Sequence, residues 1–181
     1  YEKRFSMKIA VTGAYGGLGK ALCEYLIWQK FIVVPLNKDI SSYQDTITDE
    51  INKCDVFINC GYKDKFQSIL FERVYHHWKE QKKTIINILT SGLYFGSANE
   101  TYLDDKKHLE DLSKKLRDDK KYVRITNIYP NTLENSKSPY PEVKYLEVGN
   151  CIKFILQQDP DFEIFSMGLT RTTTVPRSSL I

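Results

Sequence analysis

The stretch KIAVTGAYGGLGKALCEYLIWQK, residues 8 to 30, limits the fold more than any other part of the chain. KIAVT is short and apolar, as a buried strand is. KALCEYLIWQK places Ala21, Leu22, Tyr25, Leu26 and Trp28 at helical spacing. Between them, Gly13, Gly17 and Gly19 permit a tight reversal, let a backbone approach a pyrophosphate, and let a helix pack closely on a strand. The helix that follows offers free N–H groups and positive potential to phosphates. A strand, a glycine-rich turn and a helix in that order predict nucleotide binding at the start of an alternating fold.

The rest of the chain keeps the alternation. Residues 31–36, FIVVPL, read as a second strand, and a weaker helical segment spans about 43–53. DVFINC (55–60) is a strand, and FQSILFERVYHHWKEQ (66–81) is a helix with Phe66, Ile69, Leu70, Val74 and Trp78 along one side. TIINIL (84–89) is a strand made largely of β-branched residues. A helix begins near Asn99 to Tyr102, where Ser97 and Glu100 have capping-box spacing, and Leu109, Leu112 and Leu116 give it an apolar stripe. YVRITNIY (122–129) is a strand, residues 130–141 are a loop rich in Pro, Ser and Asn, and 142–158 form the last helix, with Pro141 placed to start it. FEIFSMG (162–168) is the final strand.

Strands alternating with helices predict a doubly wound parallel sheet with helices on both faces. Pro35 cannot donate to a ladder, so the second strand sits at or near an edge. Only 18 residues separate Leu36 from Asp55, too few for a further strand and helix, so the outer strand unit is truncated. One domain over 7–168 follows, with an extension at 1–6 and a polar tail at 169–181.

A hydrophobic share of 41%, a charged share of 27% and a net charge of +3 are those of an ordinary globular chain. Its basic clusters alternate with Asp and Glu, which argues for solvated helix faces and against a nucleic-acid partner. The four cysteines are scattered and read as reduced intracellular thiols, which points to the cytoplasm; the three histidines lack zinc spacing, so no metal site is expected. No apolar run reaches membrane-spanning length.

Several motifs together resemble the short-chain dehydrogenase/reductase family. Thr12-Gly13-x-x-x-Gly17-x-Gly19 is similar to its cofactor loop, INCG (58–61) to its Asn-Ala-Gly element, and NILTSG (87–92) to its strand ending in the catalytic serine. Tyr102-x-x-x-Lys106 follows 11 residues after Ser91 and 12 after Thr90, slightly closer than the family's usual spacing. YPNT (129–132) resembles its Pro-Gly turn, with Asn131 in place of glycine. The likeness spans about 7–168, in the family's order, although family members commonly have about 250 residues.

The resemblance implies an oxidoreductase moving a hydride between a nicotinamide and a small carbonyl or alcohol. Tyr102 would be the proton donor, Lys106 the cation that lowers its pKa and holds the ribose, and Ser91 the hydroxyl that orients the substrate oxygen, with Thr90 an alternative. Three Tyr-x-x-x-Lys pairs occur, but Tyr75–Lys79 reads as a helix-surface pair and Tyr140–Lys144 has Pro141 inside it. Cofactor contacts are implied for Thr12, Gly13, Tyr15, Gly16, Gly17, Leu18, Gly19, Asn37, Lys38, Asn59, Cys60, Gly61, Tyr102, Lys106, Pro130, Asn131 and Thr132. Asn37 stands in the usual acidic slot and Lys38 follows it, which favours NADP(H) over NAD(H). Many members place an asparagine on the helix before the serine strand, and none lies between Gly61 and Ile86 here. The helix at 66–82 and the one near Tyr102 resemble the pair through which members form dimers or tetramers. Two alternatives remain open: a nucleotide-sugar reductase or epimerase, and a degenerate dinucleotide fold kept for binding or assembly.

Overall fold

The computed structural model describes residues 7–36, 44–95, 99–119, 122–134 and 142–170. The expected extension at 1–6 and most of the expected tail lie outside them. Among the described residues, β1 (Lys8–Thr12), β2 (Ile32–Leu36), β3 (Val56–Asn59), β4 (Thr84–Ile88), β5 (Arg124–Pro130) and β6 (Ser166–Leu169) form one sheet in the order β2-β1-β3-β4-β5-β6. Every pairing is parallel. Parallel strands need crossovers, and helices supply them: α1 (Gly17–Trp28), α2 (Gln44–Asn52), α3 (Phe66–Trp78), α4 (Gly92–Phe95) with α5 (Glu100–Asp119), and α6 (Tyr145–Gln157). No helix of the described residues is long and apolar enough to cross a membrane.

The side-chain period of two divides each strand between two cores. Ile9, Val11, Val56, Ile58, Ile86 and Ile88 pack under α1 and α6. Ala10, Phe57, Ile85 and Ile125 face the opposite way and pack with α2, α3 and α5. Burial of Phe57, Phe71 and Trp78, each fully out of water, is worth roughly 2–3 kcal/mol apiece. The Trp78 indole is satisfied by donating to Asn52 Oδ1 at 3.0 Å, which ties α3 to α2.

The truncated outer unit is present as read. β2 is the edge strand, Pro35 lies within it opposite Val11, and only α2 stands between β2 and β3 among the described residues. Other expectations change. Trp28 is 71% exposed because it falls on the outer side of the last turn of α1. Ile69 is 41% exposed; α3 buries the expected Leu70, Val74 and Trp78, and with them Phe71 and Tyr75. Tyr75 is therefore a core residue, its hydroxyl donating to Asp119 Oδ2 at 3.1 Å, and not part of a surface pair. Ser97 is outside the described residues; α5 is capped by Asn99, whose Oδ1 accepts the Tyr102 N–H at 2.9 Å. The last helix starts at Tyr145, four residues after Pro141, with Glu147 accepting the Lys144 N–H at 2.8 Å. β6 begins at Ser166 and runs through Leu169, later than the pattern at 162–168 predicts.

Candidate active site

The C-terminal ends of β1 and β3 meet where the glycine loop begins. Thr12 Oγ1 accepts the N–H groups of Cys60 at 3.0 Å and Gly61 at 3.1 Å and donates to Ile58 O at 3.4 Å. Gly13, at φ +68°, lies so close to Gly61 that a Cβ on it would stand 2.8 Å from the Gly61 Cα. Only glycine allows the two loops this approach. The helix α1 then starts at Gly17, at φ +40°, with Gly16 as its N-cap. No side chain caps this end and no acidic residue occupies its first turn. Its orphan N–H groups and the positive end of its dipole therefore face whatever enters the loop, which fits a pyrophosphate.

A cavity of about 700 Å³ extends from this loop. Gly13, Gly16, Leu18, Gly19, Cys60 and Gly61 line it at one end, and Tyr62, Lys63, Ile88, Leu89, Tyr102, Lys106 and Leu133 line the rest. That size suits a dinucleotide or a comparable ligand. Thr12 is buried with its hydroxyl turned to β3, and Tyr15 is exposed; neither lines the cavity. Asn59 is buried too: its amide donates to Gln67 O at 2.9 Å and to Asn87 Oδ1 at 3.0 Å, inside the sheet. Pro130 ends β5, Asn131 N–H donates to Leu169 O at 2.8 Å, and Thr132 O accepts the Val143 N–H, so this turn braces β6 and the segment that leads into α6. Its neighbour Leu133 is the residue that reaches the cavity. Asn37 and Lys38 lie outside the described residues.

Tyr102 and Lys106 share one face of the first turns of α5. Lys106 Nζ lies 5.4 Å from the centre of the Tyr102 ring and 5.5 Å from that of Tyr62. It donates to Gln67 Oε1 at 2.7 Å and to Ile88 O at 2.8 Å. Burial lowers the Lys106 pKa to about 8, against weaker upward pulls from Cys60 and Asp105. The phenol of Tyr102 is also shifted by burial, upward; a hydrogen bond with the Thr90 side chain favours the phenolate, and Cys60 opposes it. Tyr62 stands edge-on to Tyr102 at 4.9 Å and donates to Asp105 Oδ2 at 3.0 Å. Burial and that bond push its own phenol up to about 12.

The two hydroxyls at the end of β4 part company. Ser91 is buried, and its Oγ donates to Asn131 Oδ1 at 3.1 Å. Thr90 is the one beside Tyr102, and its Oγ1 also accepts the Gly92 N–H at 3.2 Å. Sequence reasoning missed Gln67 and Tyr62. Gln67 interrupts the buried face of α3 with a polar group, which is a signal of a kind, but nothing local says where its amide goes.

No protein-family model and no curated protein matches the chain. Solved structures do. An alcohol dehydrogenase from the archaeon Thermococcus sibiricus, complexed with 5-hydroxy-NADP, matches at a TM-score of 0.73 and 14% identity, over 92% of this chain and 99% of that one. A short-chain dehydrogenase from Burkholderia cenocepacia in complex with NADP matches at 0.75 and 15%, over 93% and 90%. A 3-alpha-hydroxysteroid dehydrogenase from Pseudomonas sp. complexed with NADH matches at 0.69 and 14%, over 90% and 94%. At these identities the likeness is one of architecture: the chain has the fold of the short-chain dehydrogenases.

Proposed function

We propose that the chain is an NAD(P)-dependent short-chain oxidoreductase acting on a small carbonyl or alcohol. The observation that carries this reading is the single cavity joining an uncapped helix N-terminus to the Tyr102–Lys106 pair. Gly13, Gly16, Gly19 and the first turn of α1 would hold a pyrophosphate, and Lys106 would hold the ribose at the far end. A nicotinamide bound there supplies the hydride donor or acceptor. Tyr102 keeps a proton on its phenol oxygen, since burial disfavours the phenolate, and delivers it to the substrate oxygen in reduction. The Thr90 hydroxyl orients that oxygen: its Oγ1 accepts the Gly92 N–H and keeps its own proton to donate, whereas Ser91 Oγ already donates to Asn131 Oδ1. Leu89, Tyr62 and Leu133 exclude water from the reacting end.

Calorimetry with NADPH and NADH tests the cofactor half. Gly17→Leu forces a side chain onto a backbone at φ +40° beside the pyrophosphate site, while the nearest other group, Tyr145 Oη, is 3.5 Å from a Cβ there. Binding to the unaltered protein and its loss in this variant are expected; equal affinities would sink the assignment. The preference for NADP(H) belongs to the same proposal: Lys38→Glu weakens NADPH binding more than NADH binding if Lys38 meets the 2′-phosphate. Assembly through α3 and α5 also belongs to it, with exposed Ile69 on the contact face. A monomeric mass by light scattering at micromolar concentration counts against that.

A further inference from the structure

Gln67, the second residue of α3, is buried, and its amide is fixed in one orientation. Nε2 donates to Asn59 O at 2.6 Å and to Ile88 O at 3.2 Å. Carbonyls accept only from the nitrogen end, so Oε1 is forced to the other side. There it accepts from Lys106 Nζ at 2.7 Å. The backbone is held as well, because Asn59 Nδ2 donates to Gln67 O at 2.9 Å. Asn59 is itself part of a ladder across β3, β4 and β5: its amide meets Asn87 at 3.0 Å, and Asn87 meets Asn127 at 3.1 Å, each pair in register. An acceptor on α3, pinned to the sheet through Asn59, is thus presented to the ammonium. The Asp105 carboxylate, which pulls the Lys106 pKa upward, accepts from Tyr62. Both hydrogen-bond acceptors of Lys106, Gln67 Oε1 and Ile88 O, are neutral.

We propose that Gln67 is the positioning residue of this site, orienting the Lys106 ammonium at the cavity with a neutral acceptor that leaves its charge uncancelled. The inference rests on the reading of Lys106 as the site's cation. A carboxylate at this position would orient the ammonium equally well but would neutralise the field it sends toward Tyr102. The other groups facing Lys106 are the Cys60 thiol, the Asp105 carboxylate and the Tyr62 and Tyr102 rings. None of them replaces the amide as a hydrogen-bond acceptor. Position 67 therefore sets both the direction of Lys106 and the pH at which it loses its proton.

The test is an NMR titration of the full chain carrying 13C-labelled lysine, with the Lys106 signal identified by its loss in Lys106→Arg. In the unaltered protein Lys106 titrates well below the exposed lysines; a midpoint among theirs overturns the proposal without any variant at Gln67. Gln67→Glu raises the midpoint by roughly one to three pH units, because an opposite charge then sits within bonding distance. Gln67→Met, which removes the acceptor at similar volume, lowers it by about one unit. A midpoint that stays put in Gln67→Glu overturns the proposal even if Gln67→Met fails to fold. NADPH calorimetry on the same proteins reads the cofactor assignment separately. A normal NMR response with no NADPH binding in the unaltered protein would remove the oxidoreductase reading and leave the Gln67–Lys106 coupling in place.

Discussion

Lys106 and Glu110 stand one turn apart on the inner face of α5, and both are almost wholly out of water, at 2% and 1% exposure. Their surroundings differ in kind. Glu110 accepts hydrogen bonds from Tyr94 at 2.6 Å, Tyr129 at 3.0 Å and Lys107 at 2.7 Å, and Lys114 Nζ lies 3.0 Å away. Burial by itself would push this carboxyl up, but the donors together hold it down at about 2. Lys106 has two neutral acceptors, and burial moves it toward the uncharged form, to about 8. A buried charge surrounded by complementary donors behaves as a permanent anchor; one given only neutral partners is held near its titration point. Glu110 ties α5 to α4 through Tyr94 and to β5 through Tyr129. Lys106 faces the cavity. One helix thus carries two buried ions, one held by charged and polar donors and one given neutral acceptors, and the identity of the partners distinguishes them.

The largest expected effect lies at the Lys106 end. Tyr102→Phe removes one hydroxyl and keeps the ring, so turnover should fall by roughly two to four orders of magnitude with NADPH affinity and melting temperature little changed. Steady-state kinetics on an aldehyde or ketone found by screening measures this; near-normal turnover would remove Tyr102 from the chemistry. Tyr75→Phe, which loses only the bond to Asp119, serves as the control. Thr90→Val comes next, with turnover down about a hundredfold, while Ser91→Ala changes it far less. The reverse ranking would return the orienting role to Ser91.

At the Glu110 end the effect is on stability. Glu110→Ala removes the acceptor of two phenols and two lysines and should cost roughly 2–4 kcal/mol in chemical denaturation. Because the folded-state pKa of Glu110 lies below its unfolded value, its contribution is complete above about pH 4.5 and is lost as pH falls toward about 2. The unfolding curves of variant and parent should therefore converge in acid, and a gap that persists at pH 2 would mean that Glu110 acts through packing alone. The smallest effect has the opposite sign. Lys106→Met should raise stability at pH 7 by roughly 1–3 kcal/mol, because it removes a buried ammonium with neutral partners. Lys106 has a folded pKa of about 8, below the ordinary lysine value, so the unfolded chain binds more protons between about pH 8 and 10.5 and the parent gains stability across that window. The advantage of the methionine variant should shrink there. A destabilised Lys106→Met protein at pH 7 would show that Lys106 is an anchor too, and the contrast with Glu110 would fail.

Much of this architecture is legible in the chain because its causes are local. Alternating apolar runs and helical stripes place every strand and every long helix to within a few residues, and Pro35 marks β2 as an edge before any pairing is known. The pair Tyr102 and Lys106 is fixed by helix geometry, since residues four apart share a face. Errors fall where a local pattern competes with tertiary contact. Ile69 and Trp28 fit apolar stripes yet lie on outer faces, because the width of a buried stripe depends on which neighbours cover it. Tyr75 looks like one half of a surface pair, but the packing of α3 on the sheet takes it inside.

Local pattern is enough to set the order of elements, the glycine turn that opens α1 and the helical register that aligns Tyr102 with Lys106. Which groups those residues meet depends on the folded chain as a whole. Lys106 finds Gln67 from 39 positions away, Asn59 finds Asn87 from 28 and Asn87 finds Asn127 from 40. Past the end of β4, Thr90 Oγ1 meets the Gly92 N–H while Ser91 Oγ meets Asn131 from 40 positions away. Such contacts depend on the register between strands and on how helices settle on the sheet. Those are set by the summed burial of two cores, a property of the whole chain that no short segment carries.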